Sequence, residues 1–242
     1  IAKVTSVNWS DGKRRDDHSL DVAVAVQQVL TAKPTLTFIT TPNNPTGSVV
    51  KISEIVELAK ATASIGGLLV VDEAYAEFSS EISAVTLIAQ YPNVIVIRTM
   101  SKAFAFAGAR LGYLIADPAV IDALQLVRLP YHLSAITQAV AEVALSFSDE
   151  LLAGVDTLIA QREIVQAGLS KLGLNITPSA ANFLLFGGFN QPADQLWQKL
   201  LDRGILIRDV GLLGQLRVTI GTAAENQAFL SALTEVLAEG DK

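Results

Sequence analysis

The chain has 242 residues, 50% of them hydrophobic and 17% charged, and its mean hydropathy is +0.41; a disordered tail would be poorer in apolar residues and richer in charge, so one large domain or two modest ones can form a core. Its 18 Lys+Arg stand against 24 Asp+Glu, a net charge of −6 with no basic run, which argues against nucleic acid as a partner. Cysteine is absent, excluding disulfides and thiolate metal sites, and the two histidines, His18 and His132, are too few for a His-based metal site unless carboxylates complete it.

In chain order, the opening Ile1-Ala2-Lys3-Val4-Thr5 has neither a start Met nor a signal-peptide layout, which suggests that a segment precedes it. Residues 13–17 form a charged stretch that, with His18, reads as a solvated loop. Residues 36–39 are an apolar strand closed by the Pro/Asn/Gly loop at 42–47. Ile52, Ile55, Val56 and Ala59 then share one face of a helix that Gly66-Gly67 ends. Strands are expected at 68–71, 94–97 and 111–116, and Asp117-Pro118 fits a helix N-cap followed by Pro at the first helical position. Apolar strands separated by helices predict a mostly parallel α/β sheet covered on both faces. The weakly polar run at 103–116 is too short for a membrane span, which needs about 18 apolar residues, and it carries Arg110.

Residues 133–172 read as almost wholly helical, with Leu133, Ile136, Val140, Val143 and Phe147 on one stripe. The texture then changes to a smaller α+β unit. Strands at 182–186 and 205–207 flank a helix at 192–203, and a further strand at 216–220 precedes Thr222-Ala-Ala-Glu225, a capping box. Phe229, Leu230, Leu233, Val236 and Leu237 supply the buried face of the last helix. The predicted division is a large unit at 1–148 and a small one at 149–242, joined by the long helices around 133–172.

Ligands of open α/β sheets bind beyond the carboxyl ends of the strands. Three polar clusters fall at such ends: Pro42-Asn43-Asn44-Pro45-Thr46-Gly47, Asp72-Glu73-Ala74-Tyr75, and Thr99-Met100-Ser101-Lys102 with Arg110 beyond it. Each alone has an ordinary explanation. Asn, Pro and Gly are turn residues; an acidic pair after a strand also suits a nucleotidase, but the Gly-x-x-x-x-Gly-Lys-Ser/Thr loop which that requires is missing; a Ser-Lys pair is commonly solvated surface. Their shared rim is the informative feature.

Together, in order and spacing, the clusters resemble those of the fold-type I enzymes that use pyridoxal 5'-phosphate (PLP), specifically the class I/II aminotransferases. Within that group the run from Thr99 to Arg110, Arg128-Leu-Pro-Tyr-His-Leu-Ser134 and Gly204-Ile-Leu-Ile-Arg-Asp209 are similar to those of histidinol-phosphate aminotransferases, in the version found in actinobacteria. The resemblance implies a large PLP-binding domain and a smaller C-terminal domain. It implies that Lys102 carries PLP as a Schiff base and then shuttles the substrate proton, a role suited to an amine kept neutral by partial burial and a cationic neighbour. Asp72 would face the pyridine nitrogen and stabilise its protonated, electron-accepting form. Asn44 and Tyr75 would donate to the cofactor phenolate, which an ionised Glu73 cannot do. Thr99, Ser101 and Arg110 would hold the cofactor phosphate. Arg217, a charge inside an apolar strand, matches the arginine that grips the substrate carboxylate, and Arg208 matches a position that helps bind substrate phosphate; a surface ion pair with Asp209 or Asp202 is the alternative for Arg208.

The implied activity is transamination of L-histidinol phosphate with 2-oxoglutarate in histidine biosynthesis, by a cytoplasmic homodimer without metal, nucleic acid or membrane partners. An aromatic aminotransferase, a PLP-dependent decarboxylase of an amino-acid phosphate ester and a non-catalytic association module of the same fold are the alternatives. The family also has an N-terminal segment that supplies a Gly/Ser-rich helix start under the phosphate, a ring stacked on the pyridine and a tyrosine for the neighbouring subunit; none is matched ahead of Asn44. His132 reads as a cap or packing residue, Phe104 and Phe106 as packing around the lysine loop, and Trp9 and Trp197 as structural.

Overall fold

A computed structural model describes residues 2–240. Ile1, Asp241 and Lys242, which belong to the predicted units 1–148 and 149–242, lie outside the described residues. The elements are α1 (Ala2–Thr5), α2 (Val22–Ala32), β1 (Leu36–Thr40), α3 (Ile52–Ser64), β2 (Leu68–Asp72), β3 (Val94–Thr99), β4 (Gly112–Ile115), α4 (Pro118–Val127), α5 (Ala135–Ser146), α6 (Ser148–Lys171), β5 (Asn175–Ile176), β6 (Phe183–Gly187), α7 (Ala193–Leu201), β7 (Arg208–Asp209), β8 (Gln215–Thr219) and α8 (Ala223–Gly240).

The first four strands form one sheet in the order β1-β2-β3-β4, parallel except for β3–β4. Parallel neighbours need a crossover, and α3 supplies it between β1 and β2. Two 3-10 turns, Ala76–Phe78 and Ala84–Leu87, lie between β2 and β3. Ile55, Leu58 and Ala59 of α3 and Val29 of α2 pack on Ile39, Leu69, Val71, Val94 and Val96 of the sheet. Alternation places Phe38, Val70, Ile95 and Leu114 on the other face, where Val70 and Ile95 of the middle strands are buried while Phe38 of the edge strand is 65% exposed.

Helix α2 is an addition to the predicted elements. Asp21 caps it by accepting the Val24 N–H at 3.1 Å, and Lys33 ends it with a left-handed φ of 47°. Asp117 caps α4 with Pro118 in the first turn, as read from the sequence. The long helices predicted around 133–172 are α5 and α6, which part at Phe147, whose N–H turns back to the Ala144 carbonyl. The apolar stripe through α5 does not enter a core: Ile136 is 78% exposed, and Val140, Val143 and Phe147 are also exposed.

The second sheet is antiparallel, in the order β5-β6-β8-β7. Every residue of β6 is buried; on one face Leu184 and Phe186 pack against Leu196 and Leu200 of α7, Val165 and Leu169 of α6, and Phe229, Leu233 and Val236 of α8. The capping box at Thr222 and Glu225 forms reciprocally, at 2.7 and 3.3 Å. The strand predicted at 205–207 is corrected to Arg208–Asp209. Ile207 gives its carbonyl to the Trp197 indole N–H at 2.9 Å instead of a strand ladder, while its side chain enters the core. A third apolar cluster, with Tyr75, Phe78, Ala103, Val155, Ala181 and Phe183, joins the segments that follow β2 and β3 to α6 and β6. No helix of the described residues is long and apolar enough to cross a membrane.

Candidate active site

Because β1, β2 and β3 run parallel and in register, Thr40, Asp72 and Thr99 end at one rim, where Thr40 pairs with Asp72 and Asp72 with Ile97. All three predicted clusters continue from these ends.

Beyond β1 the chain turns on itself through side-chain acceptors that Asn and Thr provide. The Asn43 amide donates to Thr46 Oγ1 at 2.8 Å, the Gly47 N–H to the Asn43 carbonyl at 2.6 Å, and Thr40 Oγ1 bonds Asn43 Oδ1. Gly47 is required at this point, since it has a φ of 77° and a Cβ there would sit 2.1 Å from Ser179 Oγ. Its carbonyl accepts the Ala180 N–H at 2.9 Å, which docks the turn against the chain leading into β6. Asn44 projects from this turn and remains exposed.

Beyond β2 the acidic pair separates. Asp72 Oδ1 accepts the Ala74 N–H at 3.0 Å and reverses the chain. Tyr75 then packs edge-on to Phe183 with ring centroids 5.2 Å apart. Burial pushes the Tyr75 phenol above its ordinary value, with Arg217 opposing and Asp72 adding. The phenol is therefore a neutral donor at physiological pH. Glu73, by contrast, is buried and receives Arg98 Nη2 at 2.7 Å.

Beyond β3, Thr99 Oγ1 lies 2.8 Å from Ser101 Oγ and accepts the Ser101 N–H at 3.1 Å. The loop then folds tightly, with Phe106 N–H on the Met100 carbonyl and Ala105 at a φ of 51°. Lys102 stands exposed on it, its Nζ 5.6 Å from the centre of the Tyr75 ring. Phe104 packs against the Tyr75–Phe183 cluster, as predicted.

From the second sheet, Arg217 lays its guanidinium 4.8 Å from the centre of the Phe183 ring and donates from Nη1 to Asn44 Oδ1 at 2.5 Å. Asn44 Nδ2 in turn lies 3.5 Å from the Tyr75 hydroxyl, a long contact. The Nε of Arg217 is buried without a protein partner. Burial lowers the Arg217 pKa, with Tyr75 opposing and Arg208 adding to the shift, although a guanidinium stays charged throughout the physiological range.

The structure thus joins Arg217, Asn44, Tyr75 and Lys102 in one chain of contacts, with Asp72 close enough for its charge to act on Tyr75. Arg110 is not joined to it. It is exposed, has a φ of 55°, and donates to the Ala107 carbonyl of its own turn at 3.2 Å. Arg208 sits opposite Arg217 in the β7–β8 register. It makes no ion pair with Asp209 or Asp202, whose carboxylates accept Gly211 N–H and the Gln198 amide.

Several predicted details change. His18 is not simply solvated, since its Nε2 lies 3.2 Å from Gln215 Oε1 on β8. His132 is exposed, and Ser134 caps α5 in its place. Trp197 is structural as predicted, whereas Trp9 is exposed. The sequence reading places Phe183 in a strand and Arg14 in a solvated loop, and it gives neither of them, nor Arg98, a part in the site. Of these only Arg98 carries a signal, a charge in the otherwise apolar strand Val94–Thr99, the same signal that singled out Arg217.

The family model of aminotransferase class I and II matches residues 2–233. Among curated proteins, the chain is 54% identical over 237 residues to the histidinol-phosphate aminotransferase of Mycolicibacterium smegmatis, and 52% identical over 239 residues to that of Mycobacterium leprae; each match covers 98% of this chain and 62% of the relative, so the chain spans about three fifths of their length. The solved structure of histidinol-phosphate aminotransferase from Sinorhizobium meliloti in complex with pyridoxal-5'-phosphate superposes with a TM-score of 0.88 at 29% identity, over 98% of this chain and 66% of that one. With a parallel-sheet rim that gathers lysine, aspartate, tyrosine and arginine, and a family match along nearly all its length, the chain belongs to the class I and II aminotransferases.

Proposed function

We propose that this chain carries the cofactor- and substrate-binding residues of a PLP-dependent aminotransferase that moves the amino group of L-histidinol phosphate to 2-oxoglutarate, giving imidazole-acetol phosphate and glutamate in histidine biosynthesis. The observation that carries the reading is the contact line from Arg217 through Asn44 and Tyr75 to Lys102. The subfamily rests on the two mycobacterial relatives.

The residues present fit PLP by their chemistry. One rim offers an amine, a carboxylate, a protonated phenol and a pair of hydroxyls, and Arg217 adds a buried N–H without a protein acceptor. When bound, PLP supplies an electron-accepting ring that stabilises negative charge at the substrate carbon. Lys102 would hold the group through its amine, and that amine would carry the proton to and from the substrate carbon. Asp72 holds the proton on the pyridine nitrogen, a charge placed against developing charge. Tyr75 and Asn44 donate to the phenolate oxygen. Thr99, Ser101 and Arg110 bind the phosphate, for which Arg110 has to leave the carbonyl of its own turn. Arg217 grips the substrate carboxylate and Arg208 the substrate phosphate.

In this reading residues 1–148 form the large domain and 149–242 the small one, with the site between the two sheets. The assembly is a cytoplasmic homodimer, in keeping with the exposed apolar stripe of α5. The deciding experiment supplies PLP, L-histidinol phosphate and 2-oxoglutarate and measures glutamate, with Lys102→Ala as control. Glutamate formation that is lost in the variant supports the proposal. Preference for phenylalanine or tyrosine moves it to an aromatic aminotransferase, CO₂ release without an oxo acid to a decarboxylase, and no PLP-dependent absorbance to an association module.

A further inference from the structure

Glu73 and Arg98 lie outside every role assigned above, yet they form the most heavily bonded ion pair of the described residues. Glu73 is 3% exposed. Its Oε2 accepts Arg98 Nε at 3.1 Å, Arg98 Nη2 at 2.7 Å and Ser83 Oγ at 2.8 Å, and its Oε1 accepts the Ala84 N–H at 2.6 Å. Arg98 Nη2 also reaches Ser83 Oγ at 2.9 Å, and its Nη1 lies 3.5 Å from Glu77 Oε1.

The place of this cluster is more telling than its bonds. Glu73 directly follows Asp72, and Arg98 directly precedes Thr99. The ladder continues through this point, because the Glu73 N–H donates to the Ile97 carbonyl at 2.9 Å. Side chains alternate along strands, so Asp72 and Thr99 share one face of the rim while Glu73 and Arg98 share the opposite face. Ser83 and Ala84, which close the cluster, belong to the segment linking β2 to β3.

We propose that the Glu73–Arg98 pair is a positioning clamp for PLP. From beneath the rim it locks the strand end bearing Asp72 and Tyr75 to the strand end bearing Thr99, Ser101 and Lys102. A buried pair of this kind is poor evidence of stabilisation for its own sake, since well-packed apolar residues often do as well. What it provides here is a fixed separation between two strand ends that must meet opposite sides of one rigid ring. Misplacement by about 1 Å at such a site costs up to about a hundredfold in rate. The clamp therefore acts through Asp72 and Lys102 without touching cofactor or substrate.

This inference rests on the PLP reading, and the test separates the two. PLP affinity of the purified protein is measured by visible absorbance titration for the parent, Glu73→Gln, Arg98→Met and the double variant, alongside thermal unfolding without PLP. Each single variant is expected to weaken PLP binding about tenfold or more, and the double variant by no more than the weaker-binding single, because both break one unit. If a single variant does not fold, Arg98→Lys, which keeps the charge but loses the Nε–Nη2 fork, stands in for it with a smaller loss expected. Unfolding at lower temperature with parental PLP affinity overturns the clamp and leaves the function standing. A parent that binds no PLP overturns the function, and the clamp with it.

Discussion

Arg217 on β8 donates to the side-chain carbonyl of Asn44 at 2.5 Å, across 173 residues of chain. One residue comes from the turn beyond the parallel sheet and the other from the antiparallel sheet, so this bond ties the two sheets together at the rim. The guanidinium rests against the Phe183 ring, and Phe183 meets Tyr75 edge-on. The Arg217 guanidinium is thereby held between the Phe183 ring and the Asn44 side chain.

Replacing Arg217 should therefore harm substrate use more than folding. Arg217→Gln keeps a donor for Asn44 but removes the charge and the two-pronged grip on a carboxylate. A hydrogen bond to a charged partner contributes about 1.5–3 kcal/mol, or roughly 10- to 150-fold in kcat/KM for histidinol phosphate. Steady-state kinetics with both substrates checks this, and an unchanged kcat/KM contradicts the assignment. Arg217→Lys is expected to recover only part of the loss, because a single ammonium cannot reproduce the fork.

Gly47→Ala should destabilise the protein by about 1–3 kcal/mol through a backbone conformation unsuited to Ala and a clash with a packed neighbour. The new Cβ would meet Ser179 Oγ at 2.1 Å, Ser179 Cβ at 2.5 Å and Ser179 Cα at 2.9 Å. Chemical denaturation measures the loss. Adding Ser179→Gly should restore only part of it, since the φ of 77° and the clash with the backbone of residue 179 remain.

The Tyr75 phenol should titrate later than an ordinary tyrosine. Burial is the main cause, Asp72 adds to it, and Arg217 works against both. A raised folded-state pKa contributes stability that is fully present below the ordinary value of about 10 and is lost as pH rises through the raised value. The parent should thus lose stability over that alkaline window more steeply than Tyr75→Phe does. Denaturation midpoints measured on either side of pH 10 provide the check, and parallel curves would show that the phenol is not perturbed.

The parallel sheet was legible because its strands are short apolar runs punctuated by Gly, Pro and Asn, and the rim clusters followed from those strand ends. Periodicity also found α3, the last helix and its capping box. What sequence could not show was direction. The stripe through Ile136 and Val143 has helical spacing, but spacing does not say what, if anything, covers it. Residues 205–207 have strand composition, yet the Trp197 indole claims the Ile207 carbonyl that a ladder would use. Asp72 and Glu73 are neighbours of one type, and only the register reveals that one faces the rim and the other Arg98. Arg14, in a stretch read as solvated, is drawn inward by the Thr40 and His18 carbonyls, which no sequence pattern announces.

Removing Arg14 should accordingly cost more than its place in a charged stretch suggests. Its Nη2 donates to the Thr40 carbonyl at the end of β1 at 3.0 Å, and its Nη1 reaches the His18 carbonyl at 3.3 Å and Ser48 Oγ at 3.4 Å. Ser48 Oγ also donates to the His18 carbonyl at 3.0 Å, and the His18 ring meets Gln215, two residues from Arg217. Burial lowers the Arg14 pKa, with Glu54 opposing, so the guanidinium is held by several directed bonds in partial desolvation. Arg14→Met leaves the Thr40 carbonyl and the Ser48 hydroxyl short of a donor, and a loss of about 1–3 kcal/mol is expected. His18→Ala removes a single half-buried bond and should cost about 1 kcal/mol or less. Urea denaturation of both variants tests the order, and a His18→Ala loss equal to or greater than that of Arg14→Met would show that the stretch from Lys13 to His18 is anchored at Gln215 and not at β1.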